Sequence, residues 1–297
     1  MTVATRLLKW YDRHGRDLPW RQTRDPYRIL VSEIMLQQTQ VDRVKDFYAR
    51  WLRQFPSWKK LSVATNADVI HAWAGLGYNR RALVLRDIAR EVVDRGVPTT
   101  ESDWLTLKGI GPYTAVAMSA FAQKKRTLPI DTNIRRVLGR LLLGKPFPTM
   151  EDDERIRRAA ESFLPKRGRH YDIPQAIFDL ASTICIKSPQ CTICPLRGDC
   201  KAAKLFLETK IKIPKRTIKK ANERHHRNKP YPDRIYRGRI LAQVRKWGQV
   251  VNREFGPLID PTFDQELDQE WVNAMVDRLV KDDLISRERN KVTLSTR

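Results

Sequence analysis

Through the first two-thirds of the chain, apolar positions recur at helical spacing and almost nowhere at the two-residue period of a strand. The stretch 3–15 sets Leu7, Leu8 and Tyr11 on one stripe with basic residues opposite, and Leu18-Pro19 stops it. A second run, 26–38, carries Ile29, Leu30, Ile34, Met35 and Leu36 and leads into a third over 41–55. Asn66 is a candidate N-cap for a helix holding Val69, Ile70 and Trp73, which Gly75 ends. Further helices are predicted over 79–95, 103–107, 113–122, 132–143, 151–163 and 174–185. Trp51, Trp58 and Trp73 are expected in the core.

The pattern changes after residue 205. Residues 205–231 are polar and strongly basic, as in a linker or exposed arm, with His225-His226 solvated within it. Helical spacing returns over 235–247 and 269–281. The stretch 284–295 then predicts two short strands joined at Arg289-Asn290. Helices followed by a hairpin resemble a winged helix, a nucleic-acid-binding or protein-docking module. The expected fold class is therefore all-α for the main body, with a small winged-helix-like α+β domain over 232–297.

Charge narrows the partner. Lys and Arg exceed Asp and Glu by 23, which favours a polyanion, most commonly nucleic acid. An anionic membrane surface would also attract such a chain. However, no basic anchor helix and no apolar run near the roughly 20 residues of a bilayer span is present. The opening MTVATRLLKWYDRHGRDLPWR lacks a secretory pattern, so a cytoplasmic, nucleoid-associated monomer is expected.

Several residue groups carry chemistry. In Leu107-Lys108-Gly109-Ile110-Gly111-Pro112-Tyr113-Thr114, two glycines one residue apart let the backbone approach a ligand closely. The helix that starts there offers free N–H groups to a phosphate. This is a helix-hairpin-helix pattern, which grips DNA without reading sequence. Asp131 lies 20 residues beyond Gly111, followed by Thr132 and Asn133. It suits both an N-cap and a carboxylate facing a cationic sugar. Glu33 would ordinarily be a solvated helix glutamate. Its neighbours Leu30, Val31, Ile34, Met35 and Leu36 instead point to a buried helix, where a glutamate holds its proton near neutral pH. All four cysteines fall in Cys185-x5-Cys191-x2-Cys194-x5-Cys200. Such a cluster suits metal better than disulfides: a [4Fe–4S] cluster, or a structural zinc, although zinc ribbons usually offer two close pairs.

Leu18-Pro19-Trp20-Arg21, Ser32-Glu33-Ile34-Met35-Leu36-Gln37-Gln38-Thr39-Gln40-Val41, Gly75-Leu76-Gly77-Tyr78 and Gln175-Ala176-Ile177-Phe178-Asp179-Leu180 together resemble the MutY family of adenine DNA glycosylases, within the helix-hairpin-helix (endonuclease III-like) superfamily. The resemblance covers roughly residues 6–202. It implies a two-lobed fold with a [4Fe–4S] cluster: a cluster lobe from 1–25 and 128–204, and a helical lobe over 26–127. By the same resemblance Glu33 is the general acid and Asp131 stabilises the sugar cation, with Asn133 beside it. Tyr113 stands where lyase members carry a lysine, which implies a monofunctional hydrolase. Gln37, Gln38 and Tyr78 are DNA contacts, the latter two entering the stack. Lys108, Gly109, Gly111 and Thr114 grip the backbone, and Trp20, Arg21 and Gln175 line a base pocket. Cys185, Cys191, Cys194 and Cys200 are the cluster ligands. In the family the first cysteine gap is six residues; here it is five, which shortens the loop 186–190.

The implied reaction is removal of adenine opposite 8-oxoguanine or guanine from a mispaired duplex. The family's C-terminal domain that reads 8-oxoguanine has no recognisable pattern after residue 205, which leaves the opposite base open. A thymine or uracil mismatch glycosylase acting opposite guanine shares the hairpin and its tyrosine. A non-catalytic, redox-sensing iron–sulfur DNA-binding protein would share the charge and the cysteines but would need neither carboxylate.

Overall fold

The computed structural model describes residues 1–208, 211–214 and 224–296. Two compact units form, one from Met1–Glu33 with Pro98–Arg216, the other from Ile34–Val97 with Thr217–Arg297. The helix Pro26–Leu36 runs from the first into the second.

In the first unit, helices Val3–His14, Thr132–Leu143, Asp153–Phe163 and Asp172–Thr183 pack around one apolar cluster. Leu7, Ile134, Leu138, Leu141, Ile156, Ile173, Ile177 and Leu180 are its centre. Ile134, Leu138 and Leu141, and Ile173, Ile177 and Leu180, recur at four- and three-residue spacing, and Ala4, Ala160 and Phe163 complete the stripes of the other two helices, which is why the pattern is legible. Helices Glu101–Thr106 and Pro112–Phe121 form the hairpin pair. Helix Ala203–Glu208 is the last helix of this unit among the described residues.

In the second unit, helices Val41–Gln54, Trp58–Ser62, Asn66–Ala72 and Arg80–Arg95 gather about Trp51 and Trp73, whose rings meet edge-on at 5.3 Å. Those two tryptophans are in the core as expected, whereas Trp58 is only half-buried. Asn66 is not the cap of its helix. Thr65 takes that place, accepting from the Asp68 backbone N–H while Asp68 reaches back in a capping box. This releases the buried Asn66 amide to donate to the Asp283 carbonyl at 2.9 Å and to Ser295 Oγ at 3.0 Å.

Those partners belong to the C-terminal part of the same unit. Helices Asp233–Trp247, Phe255–Ile259 and Gln265–Lys281 pack on three antiparallel strands, β1 (Gln249–Val251), β2 (Ile285–Glu288) and β3 (Lys291–Leu294), in the order β1-β3-β2. The β2–β3 hairpin turns at Arg289-Asn290, as the sequence predicts, with Ile285 opposite Leu294. Strand β1 and the five-residue helix are too short to leave a periodic trace. The helix expected from 269 begins at Gln265 because Asp264 caps it, accepting from the backbone N–H of Glu266 and Leu267.

His226 is not solvated. It stacks on Trp271 at 4.7 Å and bonds Asp268 at 2.9 Å, and Lys229 pairs with Asp260 and Asp268, each at 2.6 Å. Of the stretch 205–231 read as a linker or arm, 205–208 end a helix and 209–210 and 215–223 lie outside the described residues; the partners of His226 and Lys229 come some 30 to 45 residues further on. Among the described residues no helix is long and apolar enough to cross a membrane.

Candidate active site

Three distant segments meet in the first unit. Glu33 sits near the end of the helix Pro26–Leu36, whose Ile29, Leu30, Ile34 and Met35 are buried. Tyr113 is in the first turn of helix Pro112–Phe121 and hydrogen-bonds to the Glu33 carboxyl. Asp131 caps helix Thr132–Leu143 and lies close enough for its charge to act on both. Burial first, then repulsion from Asp131, push the Glu33 carboxyl up to about 7 against the opposing hydrogen bond from Tyr113. Burial, reinforced by the two carboxylates, carries the Tyr113 hydroxyl well above its ordinary value, so it stays a donor.

Asp131 is held by three N–H donors. The backbone N–H of Asn133 and Ile134 reach Oδ1 at 2.8 and 2.7 Å, and Asn133 Nδ2 reaches Oδ2 at 2.7 Å. The cap reading and the reactive reading are therefore compatible, since capping orients the carboxylate. Asn133 is itself braced by Arg136, whose Nη2 donates to Asn133 Oδ1 at 3.1 Å and to the Ala181 carbonyl at 2.9 Å. Arg136 Nε donates to the carbonyl of Cys185 at 2.8 Å.

One turn later Arg140 is fully buried and fastens the cysteine loop. It donates to the carbonyls of Pro146, Ile186 and Lys187 at 2.9, 2.7 and 2.9 Å, and to Cys185 Sγ at 3.5 Å. Cys185, Cys191, Cys194 and Cys200 line one open-sided pocket with Ile184, Arg140 and Phe206. Among the described residues no three of them converge on a point that could hold one ion. A single zinc needs its thiolates roughly 2.3 Å from a common centre, whereas a cluster spreads its ligands over several irons. Four thiols around one pocket are a donor set that such a cluster can take.

The hairpin turns as its glycines require. Gly109 has φ +99°, open to glycine and strained for other residues. Gly111 caps helix Pro112–Phe121, and a Cβ added there would meet nothing within 4 Å inside the protein. Lys108 is exposed beside it, while Thr114 is buried.

Trp20 is buried, and Gln175 accepts from the Tyr11 hydroxyl at 3.2 Å. Arg21 is committed to the buried Asp179, donating to its two oxygens at 2.7 and 2.9 Å, and Arg16 joins them. Gln37, Gln38 and Tyr78 lie in the second unit, all exposed. Gln38 and Tyr78 both have left-handed backbone, at φ 57° and 50°. Sequence reasoning passed over Arg136, Arg140 and Asp179. A signal existed for the arginines: Arg136 lies three residues after Asn133 and Arg140 four after Arg136, so all three share one face of the helix.

A family profile described as HhH-GPD superfamily base excision DNA repair protein matches residues 31–166. The adenine DNA glycosylase of Mycobacterium tuberculosis is 40% identical over 198 residues, 65% of each chain. That of Mycolicibacterium smegmatis is 34% identical over 284 residues, 92% of each. The match to the former thus spans slightly less than two-thirds of that protein. Among solved structures, a thermostable thymine-DNA glycosylase superposes with a TM-score of 0.63 at 27% identity, covering 68% of this chain and 95% of that one. The chain belongs to the HhH-GPD superfamily of base excision DNA repair proteins, in its adenine DNA glycosylase family.

Proposed function

We propose that this chain is a base excision repair DNA glycosylase that hydrolyses the N-glycosidic bond of adenine mispaired with 8-oxoguanine or guanine, with no lyase step. The observation that carries the reading is Glu33, a carboxyl with a pKa of about 7 bonded to Tyr113 and facing the charge of Asp131. Paired carboxyls in different protonation states are what cleavage of a glycosidic bond requires.

The target nucleotide must first leave the stack. Gln38 and Tyr78, with Gln37, are the residues proposed to enter the space it vacates. The hairpin at Lys108, Gly109 and Gly111, with Thr114 packed behind it, holds the phosphates. Trp20, Arg21 and Gln175 frame the extruded base, Arg21 through its pairing with Asp179. Glu33 passes its proton to a ring nitrogen of the purine, and the C1′–N9 electron pair leaves with the base. Asp131, oriented by Asn133, stabilises the oxocarbenium ion that results. Water adds at C1′, and the proton it loses restores the Glu33 acid. Tyr113 offers no amine, so the sugar forms no Schiff base. The four thiols are proposed to hold a [4Fe–4S] cluster. Bound there, it would cross-link the four thiolates and fix the loop over 185–200, leaving the chemistry at the base to the carboxyls.

The partner is duplex DNA with a mispair, met by a monomer in the cytoplasm or nucleoid. A winged-helix-like module over 232–297, following the basic stretch 205–231, stands where the family's 8-oxoguanine reader is expected. The lobes are taken as 1–25 with 128–204, and 26–127. A second reading, thymine or uracil removed opposite guanine, is favoured by the likeness to the thymine-DNA glycosylase. Excision from a panel of mispairs separates the two. Adenine released opposite 8-oxoguanine or guanine is expected; adenine left intact in both, with thymine released opposite guanine, overturns the proposal. Borohydride added during turnover is expected to trap no protein–DNA adduct.

A further inference from the structure

Gln38 and Tyr78 sit on turns 40 residues apart in sequence, and each holds a backbone conformation that costs a non-glycine residue roughly 1–3 kcal/mol. Something must hold both. Arg81 lies in the first turn of helix Arg80–Arg95, and its own N–H donates to the Tyr78 carbonyl at 3.0 Å. Its guanidinium reaches both turns at once. Nη1 donates to the carbonyls of Ile34 and Met35 at 2.9 and 3.2 Å and to that of Gln37. Nη2 donates to the Gly77 carbonyl at 3.0 Å and to Thr39 Oγ1 at 3.3 Å.

Two of these acceptors matter most. The Gln37 carbonyl belongs to the peptide group that carries Gln38, and the Gly77 carbonyl to the one that carries Tyr78. One planar cation therefore bonds the peptides immediately before both exposed side chains. Its face lies 5.3 Å from the Tyr78 ring and 5.4 Å from the Trp73 ring, and Trp73 Nε1 donates to the same Gly77 carbonyl at 3.0 Å. The acceptors at Ile34 and Met35 are free carbonyls at the end of helix Pro26–Leu36, which would otherwise lack partners.

We propose that Arg81 is a positioning residue that locks the turns of Gln38 and Tyr78 to each other, so that the two side chains enter the DNA stack as one preset wedge. This rests on the reading of Gln38 and Tyr78 as wedge residues. A fork of donors in fixed geometry is needed, because two peptide groups on different turns must be bonded simultaneously. A lysine is a point donor on a flexible stem and would serve one turn or the other.

The defect must appear only when a stacked, paired nucleotide has to be displaced. The test is single-turnover adenine release from a mispaired duplex and from the same strand with the adenine in an unpaired bubble. Arg81→Ala is expected to lower the duplex-to-bubble rate ratio by about tenfold or more. Arg81→Lys is expected to lower it in the same direction, and is the variant to use if the alanine form does not fold. Combining Arg81→Ala with Tyr78→Ala is expected to lower the ratio little beyond Tyr78→Ala alone. Equal losses on duplex and bubble for the Arg81 variants, while Gln38→Ala and Tyr78→Ala do lower the ratio, overturn the proposal and leave the wedge reading intact. If Gln38→Ala and Tyr78→Ala leave the ratio unchanged, the wedge reading falls and the proposal with it.

Discussion

Glu33 keeps its proton at a pH where most glutamates are anions, and residues from two other segments take part. The buried helix removes water, Asp131 supplies like charge, and the bond from Tyr113 moderates the result to a pKa of about 7. An acid of that strength is present below neutrality and is lost as the pH rises through 7. Single-turnover base release should therefore fall above about pH 7, by roughly tenfold per unit once Glu33 is ionised. The same shift has a cost in stability. The folded pKa lies above the ordinary value of 4.5, so stability declines from about pH 4.5 and levels off above about 7. Glu33→Gln should be more stable than the native chain at pH 8, by on the order of 1–3 kcal/mol, and no different near pH 4. Thermal unfolding at the two pH values checks this. The burial of Glu33 was legible from Leu30, Val31, Ile34, Met35 and Leu36. The size of the shift was not, because Tyr113 and Asp131 arrive from 80 and 98 residues away.

Helix Thr132–Leu143 is the element that carries the site. The sequence predicts its bounds and its Asp131 cap, since both are local: an apolar period and a carboxylate before it. What it does with its inward arginines depends on Ala181, Cys185, Ile186 and Lys187, which lie some 45 residues further along the chain. The path Asp131–Asn133–Arg136–Cys185 consists of hydrogen bonds between 2.7 and 3.1 Å. Arg136→Ala removes the brace on Asn133 and leaves the Ala181 and Cys185 carbonyls without it. It should lower single-turnover base release by about tenfold or more while the Kd for DNA changes little. A loss confined to Kd would contradict that role. The misplacement of the cap at Asn66 has a similar origin. Both Thr65 and Asn66 can cap; Asp68 completes a capping box with Thr65, and the Asn66 amide goes instead to Arg86 and the distant Asp283 and Ser295.

For the whole molecule, the charge is unevenly distributed. Residues 231–297 carry 12 Lys and Arg against 11 Asp and Glu, so nearly all of the excess of 23 lies on residues 1–230. The module's long helix exposes Glu266, Glu270 and Asp277, which suits a DNA groove poorly. Within its unit it is fixed through Asn66 and through Arg80, which pairs with Asp282 at 3.4 Å. The match to the M. smegmatis glycosylase covers 92% of the chain and so includes part of this module. Lys108→Ala should weaken DNA binding evenly across sequences and reduce the salt slope by about 1. Neutralising Arg289 and Lys291 on the hairpin should leave the slope unchanged. Composition favours a polyanionic partner but does not show where the charge lies, because that depends on which segments fold together.

Glu33 is proposed to supply the proton on which base departure depends. Its most direct test is the pH dependence of single-turnover adenine release for the native chain and Glu33→Gln, with DNA binding followed in parallel. The expected result is a rate lower by orders of magnitude in the variant, DNA affinity retained, and no remaining fall in rate through pH 7. A variant that releases adenine near the native rate, with the same pH profile, would contradict it.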